Sequence, residues 1–134
     1  PIIIYMKCII IYASPVDEPH IKKIIEKLDE YGITHAEHMA SAHKEPLKVL
    51  EFVQRYENEK VVFITSAGRS NALSGFVAGN TTAPVLACPP FADKTDMLVN
   101  IHSTLQMPSN VPVMTVLDPG NCALAVKRMI DLTK

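Results

Sequence analysis

The feature that most constrains this chain is an alternation of short, wholly apolar strands with amphipathic helices. Residues 8–12 read Cys-Ile-Ile-Ile-Tyr, apolar on successive positions, the pattern of a strand covered on both faces in a parallel sheet. Ala13-Ser14-Pro15 ends the run. Asp17 stands at an N-cap position with Glu18 and Pro19 in the first turn, and Ile21, Ile24, Ile25 and Leu28 follow at helical spacing until Gly32 closes the helix. The same alternation predicts a strand over Ile33 to Met39, a helix from Pro46 with Val49, Leu50 and Val53 on one face, and a strand over Val61 to Thr65. A glycine-bearing segment from Ala67 to Gly79 ends in a short helix, and Pro84 to Cys88 makes a fourth strand that Pro89-Pro90 terminates. One helix is predicted over Thr95 to Leu105, with Leu98, Ile101 and Leu105 stacked; a fifth strand spans Val111 to Leu117. Asn121 to Leu132 is the last helix, with Val126, Met129 and Ile130 facing inward.

Repeated βα units with short connections specify a three-layer α/β/α sandwich around a five-stranded parallel sheet, flavodoxin-like or Rossmann-like, in a single domain over residues 1–134. Pro1 to Tyr5 read as an upstream remnant, since Met6 makes a natural start. At 134 residues with 48% apolar composition, the core needs no disulfide or metal staple. The three cysteines, Cys8, Cys88 and Cys122, form no CxxC pair, and their odd number fits a reducing cytoplasm. Thirteen basic against 14 acidic residues, with no basic run, argue against a nucleic-acid partner. No apolar run approaches the ~20 residues of a membrane span.

Ligands of such sheets bind at the carboxyl ends of the strands, which directs attention to residues 13–17, 40–45, 66–75 and 88–94. Ser14 and Asp17 stand at the mouth of a helix whose free amides attract anions; for that loop alone, simple capping is the stronger reading. Without the glycines of a dinucleotide or P-loop motif, nothing there points to a nucleotide cofactor. In Ser41-Ala42-His43-Lys44 a titratable base adjoins a fixed cation, which suits proton transfer on an anionic substrate. His20, His35, His38 and His102 have no spacing that points to a metal site, and none is expected. Residues 66–75, Ser-Ala-Gly-Arg-Ser-Asn-Ala-Leu-Ser-Gly, combine glycine hinges with hydroxyl, amide and guanidinium groups after a buried strand. Helix capping by Ser70 or Asn71 accounts for only part of that segment. Cys88 reads as a core residue, not a nucleophile.

Taken together, Ser41-Ala42-His43-Lys44, Ala67 to Gly75, Pro84 to Pro90 and Ser103 to Pro108 resemble the aminoimidazole ribonucleotide (AIR) carboxylases of purine biosynthesis, and in particular the class II form. The match runs from about Cys8 to Leu132. Class I mutases read SAHR and AGGAAHLPG where this chain reads SAHK and AGRSNALSG; Ala72 takes the place of their second histidine, which argues against mutase chemistry. The resemblance implies AIR and carbon dioxide as substrates, a ring-carboxylated product (CAIR), no cofactor, ATP or metal, and a homo-oligomer with an octamer favoured. By the same resemblance His43 takes the ring-carbon proton, and Lys44 meets the nascent carboxylate or the phosphate. Ser14, Asp17 and Ser41 hold ribose and phosphate, while Gly68, Arg69, Ser70, Asn71 and Leu73 line the pocket for the base and carbon dioxide. The first loop departs from the family's GSxSD at Ala13 and Val16, which removes one hydroxyl from the phosphate cradle. The rival readings are a class I mutase and a catalytically silent nucleotide-binding or assembly subunit.

Overall fold

The computed structural model describes residues 6–134; the upstream-remnant reading of residues 1–5 lies outside the described residues. Five parallel strands, β1 (Lys7–Tyr12), β2 (His35–Met39), β3 (Val61–Ser66), β4 (Val85–Ala87) and β5 (Met114–Thr115), form one sheet in the order β2-β1-β3-β4-β5. This is the flavodoxin-like order. Chain direction across the sheet reverses between β1 and β3, so the loops leaving those two strands diverge and open a crevice.

The apolar runs of β1 and β3 have two faces to bury, and each face has its own helices. Ile9, Ile11 and Phe63 pack with α2 (Pro46–Arg55) and α3 (Leu73–Gly79). Cys8, Ile10, Val62 and Ile64 pack with α1 (Glu18–Glu30) and α6 (Pro119–Asp131). Alternate residues of one strand thus serve opposite layers, which is why neither strand shows a polar face. Gly32, at φ 70°, supplies the left-handed residue that ends α1, and the Ile33 amide returns to the Leu28 carbonyl at 2.9 Å. Among the described residues no helix is long and apolar enough to cross a membrane.

Five local expectations are corrected. The second strand begins at His35, not Ile33. The predicted helix over 95–105 is two pieces, α4 (Lys94–Asn100) and α5 (His102–Leu105). The Ser103 hydroxyl donates to the Asn100 carbonyl at 3.0 Å, and the Thr104 amide turns to Ile101 O at 2.9 Å, so side-chain bonding displaces the helical ladder there. Leu98 and Leu105, expected to stack on one face with Ile101, are exposed. The fifth strand shrinks to Met114–Thr115 because its neighbour, β4, is three residues long between Pro84 and Pro89, and because Pro112 offers no amide to a ladder. Finally, α6 starts at Pro119, ahead of the predicted Asn121: Asp118 accepts from the Asn121 amide at 2.9 Å with Pro119 in the first turn.

Candidate active site

The loops leaving β1, β2, β3 and β4 are laced together at the carboxyl edge of the sheet. Ala40 N donates to Tyr12 O at 3.0 Å, Ala13 N to Ser66 O at 3.1 Å and Cys88 N to Thr65 O at 2.9 Å. Their side chains therefore converge on one edge of the molecule.

In the first loop the Ser14 Oγ accepts from the Val16 amide at 3.3 Å and caps a 3-10 turn over Pro15–Asp17. Asp17 was expected to cap α1, but its side chain makes no capping bond. The carboxyl is buried instead, and that burial raises its pKa above the usual range against the opposing pull of the Ser14 and Ala13 amides and of His20. A buried carboxyl with spare acceptor capacity at a strand end suits hydroxyl recognition. Ser41 plays a parallel part in the second loop: its Oγ accepts from the Lys44 amide at 3.2 Å, and its carbonyl accepts from Glu45 N at 2.7 Å.

His43 and Lys44 are exposed in the single chain. His43 is nonetheless fixed, because its Nε2 lies 2.7 Å from the Ser70 carbonyl, which ties the loop after β2 to the loop after β3 across the mouth of β1. Ser70 adopts φ 46°, in the left-handed region that a serine seldom occupies. This turn aims its carbonyl at the imidazole.

The glycine-bearing segment is anchored from inside. Asn71 is 4% exposed and all four of its side-chain bonding positions are used. Its Oδ1 accepts from the amides of Leu73 (3.0 Å) and Ser74 (3.1 Å), and its Nδ2 donates to Ser74 Oγ (2.7 Å) and Thr104 Oγ1 (3.0 Å). Asn71, one residue ahead of the α3 N-cap Ala72, thus satisfies free amides of the first turn, and no hydrogen-bonding position of its side chain remains for a ligand. Leu73 is likewise buried in the core. Gly68, expected to admit a ligand, is pressed against the loop after β4: a Cβ there would lie 2.5 Å from the Pro90 carbonyl. Arg69 and Ser70 remain exposed beside it. Arg69 borders a depression of about 400 Å³ with Asp93 and Asp96. A larger groove, about 580 Å³, lies instead between α1 and β2, lined by Tyr12, Glu18, Ile21, Ile25 and Glu37, outside the His43 contact.

Three residues that the sequence reading left aside take part in this edge. Ser103 accepts from the Asn71 amide at 2.8 Å, and Thr104 receives the Asn71 side chain. Their place in the Ser103 to Pro108 motif was the available signal. His20 donates Nε2–H to the Cys88 carbonyl at 2.8 Å, with the Cys88 sulfur 3.5 Å away, joining the start of α1 to the end of β4. The neighbouring Cys122 and then His20 outweigh burial and draw the Cys88 thiol below its ordinary value, while the Cys122 thiol is pushed up.

The comparisons with known proteins point to one family. A family model described as AIR carboxylase matches residues 7–134. The phosphoribosylaminoimidazole carboxylase of Archaeoglobus fulgidus is 51% identical over 127 residues, 95% of this chain and 70% of that protein. Its Treponema denticola counterpart is 40% identical over 126 residues, 92% of this chain and 79% of that protein. The crystal structure of Treponema denticola PurE superposes with a TM-score of 0.89 at 39% identity, covering 96% of this chain and 82% of that one. With its parallel five-stranded order, its strand-end loops and this likeness along almost its whole length, the chain belongs to the AIR carboxylase family.

Proposed function

We propose that this AIR carboxylase is of the class II form, joining carbon dioxide directly to the ring carbon of AIR to give CAIR, with His43 as the base. The observation that carries the proposal is the contact of His43 with the 67–72 segment at 2.7 Å, in a segment where Ala72 occupies the position of the class I second histidine. His43 is the imidazole that bridges the loops after β2 and β3, and the direct reaction needs one base. The ring carbon of the aminoimidazole is enamine-like and attacks carbon dioxide unaided; the protein has to align the two and remove a proton.

Ser14, Asp17 and Ser41 are assigned to ribose and phosphate, Lys44 to phosphate or nascent carboxylate, and Arg69 and Ser70 to the open side of the pocket. Gly68, Asn71 and Leu73 shape the segment from within, since their contacts are internal. A homo-oligomer, with the octamer favoured, belongs to the same reading. Its support is that His43 and Lys44 are exposed in one chain, as are Leu98 (65%), Val99 (68%) and Leu105 (55%) on α4 and α5. A neighbouring copy over this side would exclude water from a weakly held apolar gas.

The deciding assay mixes the protein with AIR and bicarbonate without ATP and follows CAIR. Bicarbonate-dependent formation is the expected result. Turnover only from the nitrogen-carboxylated isomer would establish a mutase, and nucleotide binding without turnover would establish a silent subunit. His43→Asn is expected to keep binding and lose roughly 10²- to 10⁴-fold in turnover.

A further inference from the structure

We propose that Ser103 is a positioning residue that, through the Ser70–Asn71 peptide, holds His43 in the Nε2–H tautomer and so makes Nδ1 the atom that takes the ring-carbon proton. The inference rests on the reading of His43 as the base. A carbonyl oxygen can only accept, so the 2.7 Å contact to Ser70 O places a proton on Nε2 whether the ring is neutral or charged. In the neutral ring the lone pair then lies on Nδ1.

The peptide that enforces this is clamped at both ends. Its C=O receives His43, and its N–H, that of Asn71, donates to Ser103 Oγ at 2.8 Å. Ser103 in turn donates to the Asn100 carbonyl at 3.0 Å, so its hydroxyl is fully directed and cannot swing away without losing a bond. The left-handed φ of 46° at Ser70 costs energy that the surroundings must offset, and Ser103 together with the Asn71 side chain supplies the anchoring. As the new carbon–carbon bond forms, the ring carbon carries both hydrogen and carboxylate. Its C–H bond then breaks, the electron pair returns to the ring, and the proton passes to Nδ1. The resulting imidazolium strengthens the Nε2–H···O bond, because a charged donor bonds more tightly than a neutral one, and later gives the proton to solvent.

The test is a nitrogen-15 spectrum of the intact protein at pH 8, read alongside kinetics of Ser103→Ala and Ser103→Thr. The proposal expects His43 Nε2 to resonate as a protonated nitrogen and Nδ1 as a bare one. Ser103→Ala should give tautomer-averaged shifts and a kcat about 10- to 100-fold lower at little changed KM. Ser103→Thr, which keeps the hydroxyl, should restore both. A proton on Nδ1 in the unsubstituted protein overturns the proposal, as does a folded Ser103→Ala variant with unaltered spectrum and kcat. The unsubstituted spectrum decides the tautomer even if Ser103→Ala fails to fold. If His43→Asn retained turnover, the base assignment would fall while the spectrum still reported the tautomer, so the two failures are separable.

Discussion

Gly68, two residues past β3, meets the Pro90 carbonyl after β4 so closely that a Cβ on residue 68 would lie 2.5 Å from that oxygen. The neighbour is backbone, so it cannot rotate aside. The contact holds two strand-end loops at a fixed separation, and the second residue beyond Gly68 is the one whose carbonyl receives His43. Gly68→Ala is therefore expected to push the loops apart, destabilising the fold by about 1–3 kcal/mol and lowering turnover together with stability. Denaturant midpoints and kcat measured on the same preparation check this; a variant of unchanged stability would mean that the loops yield freely.

Asn71 has the opposite dependence, since what matters there is its side chain. Replacing it with alanine unpairs first-turn amides of α3 and leaves Thr104 without its amide donor in a site that excludes water. The expected loss is about 2–3 kcal/mol from the lost capping bonds and the unpaired buried group. Ser70→Ala changes only an exposed hydroxyl and should alter stability by less than about 0.5 kcal/mol. Thermal unfolding of the pair distinguishes an internal anchor from a surface contact.

These two neighbours also mark how far the sequence could be read. The apolar runs of Cys8 to Tyr12 and Val61 to Thr65 can satisfy both faces only within a covered parallel sheet, so the layers were legible from periodicity, and with them the strand ends where a candidate site is to be sought. The grouping of His43 with residues 67–75 was legible from the motifs. The inward use of Asn71 was not, because its partner Thr104 lies 33 positions away, and a Gly-Arg-Ser-Asn run reads equally as a ligand loop or as a helix cap. The break between α4 and α5 escaped for a similar reason: the apolar spacing of Leu98, Ile101 and Leu105 suits one helix, and the hydroxyl of Ser103 reroutes the ladder. The role of His20 depends on the Cys88 carbonyl, a partner that no local pattern announces.

His35 links pH to stability. Its Nε2 lies 2.6 Å from Asp29 Oδ1 and its Nδ1 2.7 Å from Glu37 Oε1, so the ring bridges α1 to the edge strand β2. Burial opposes the charged ring, but Asp29 and Glu37 together outweigh it and raise the pKa above the usual histidine value. A raised folded-state pKa gives stability that is fully present below the unfolded value of roughly 6.5 and is lost as pH rises through the folded value. His35→Gln should therefore lower Tm at pH 5.5 and have a smaller effect at pH 8.5. With Asp29 largely exposed, the difference is expected to stay near 1 kcal/mol or below. An equal Tm loss at both pH values would show that the ring acts through packing alone.

Val16 tests the departure of the first loop from the family pattern. The residue is 80% exposed, and its amide is taken by Ser14 Oγ at 3.3 Å, so its side chain contributes nothing to the fold that a serine would remove. If this loop cradles the phosphate of AIR, Val16→Ser adds a hydroxyl donor beside a charged group. Such a bond is worth about 1.5 kcal/mol at the low end of its range, or roughly ten-fold in affinity. The expected result is a KM for AIR about ten-fold lower with kcat and Tm little changed, because the added contact is made equally in ground and transition states. A KM unmoved by the substitution would place the phosphate elsewhere and return the loop to its simpler part, in which Ser14 caps the turn that leads into α1.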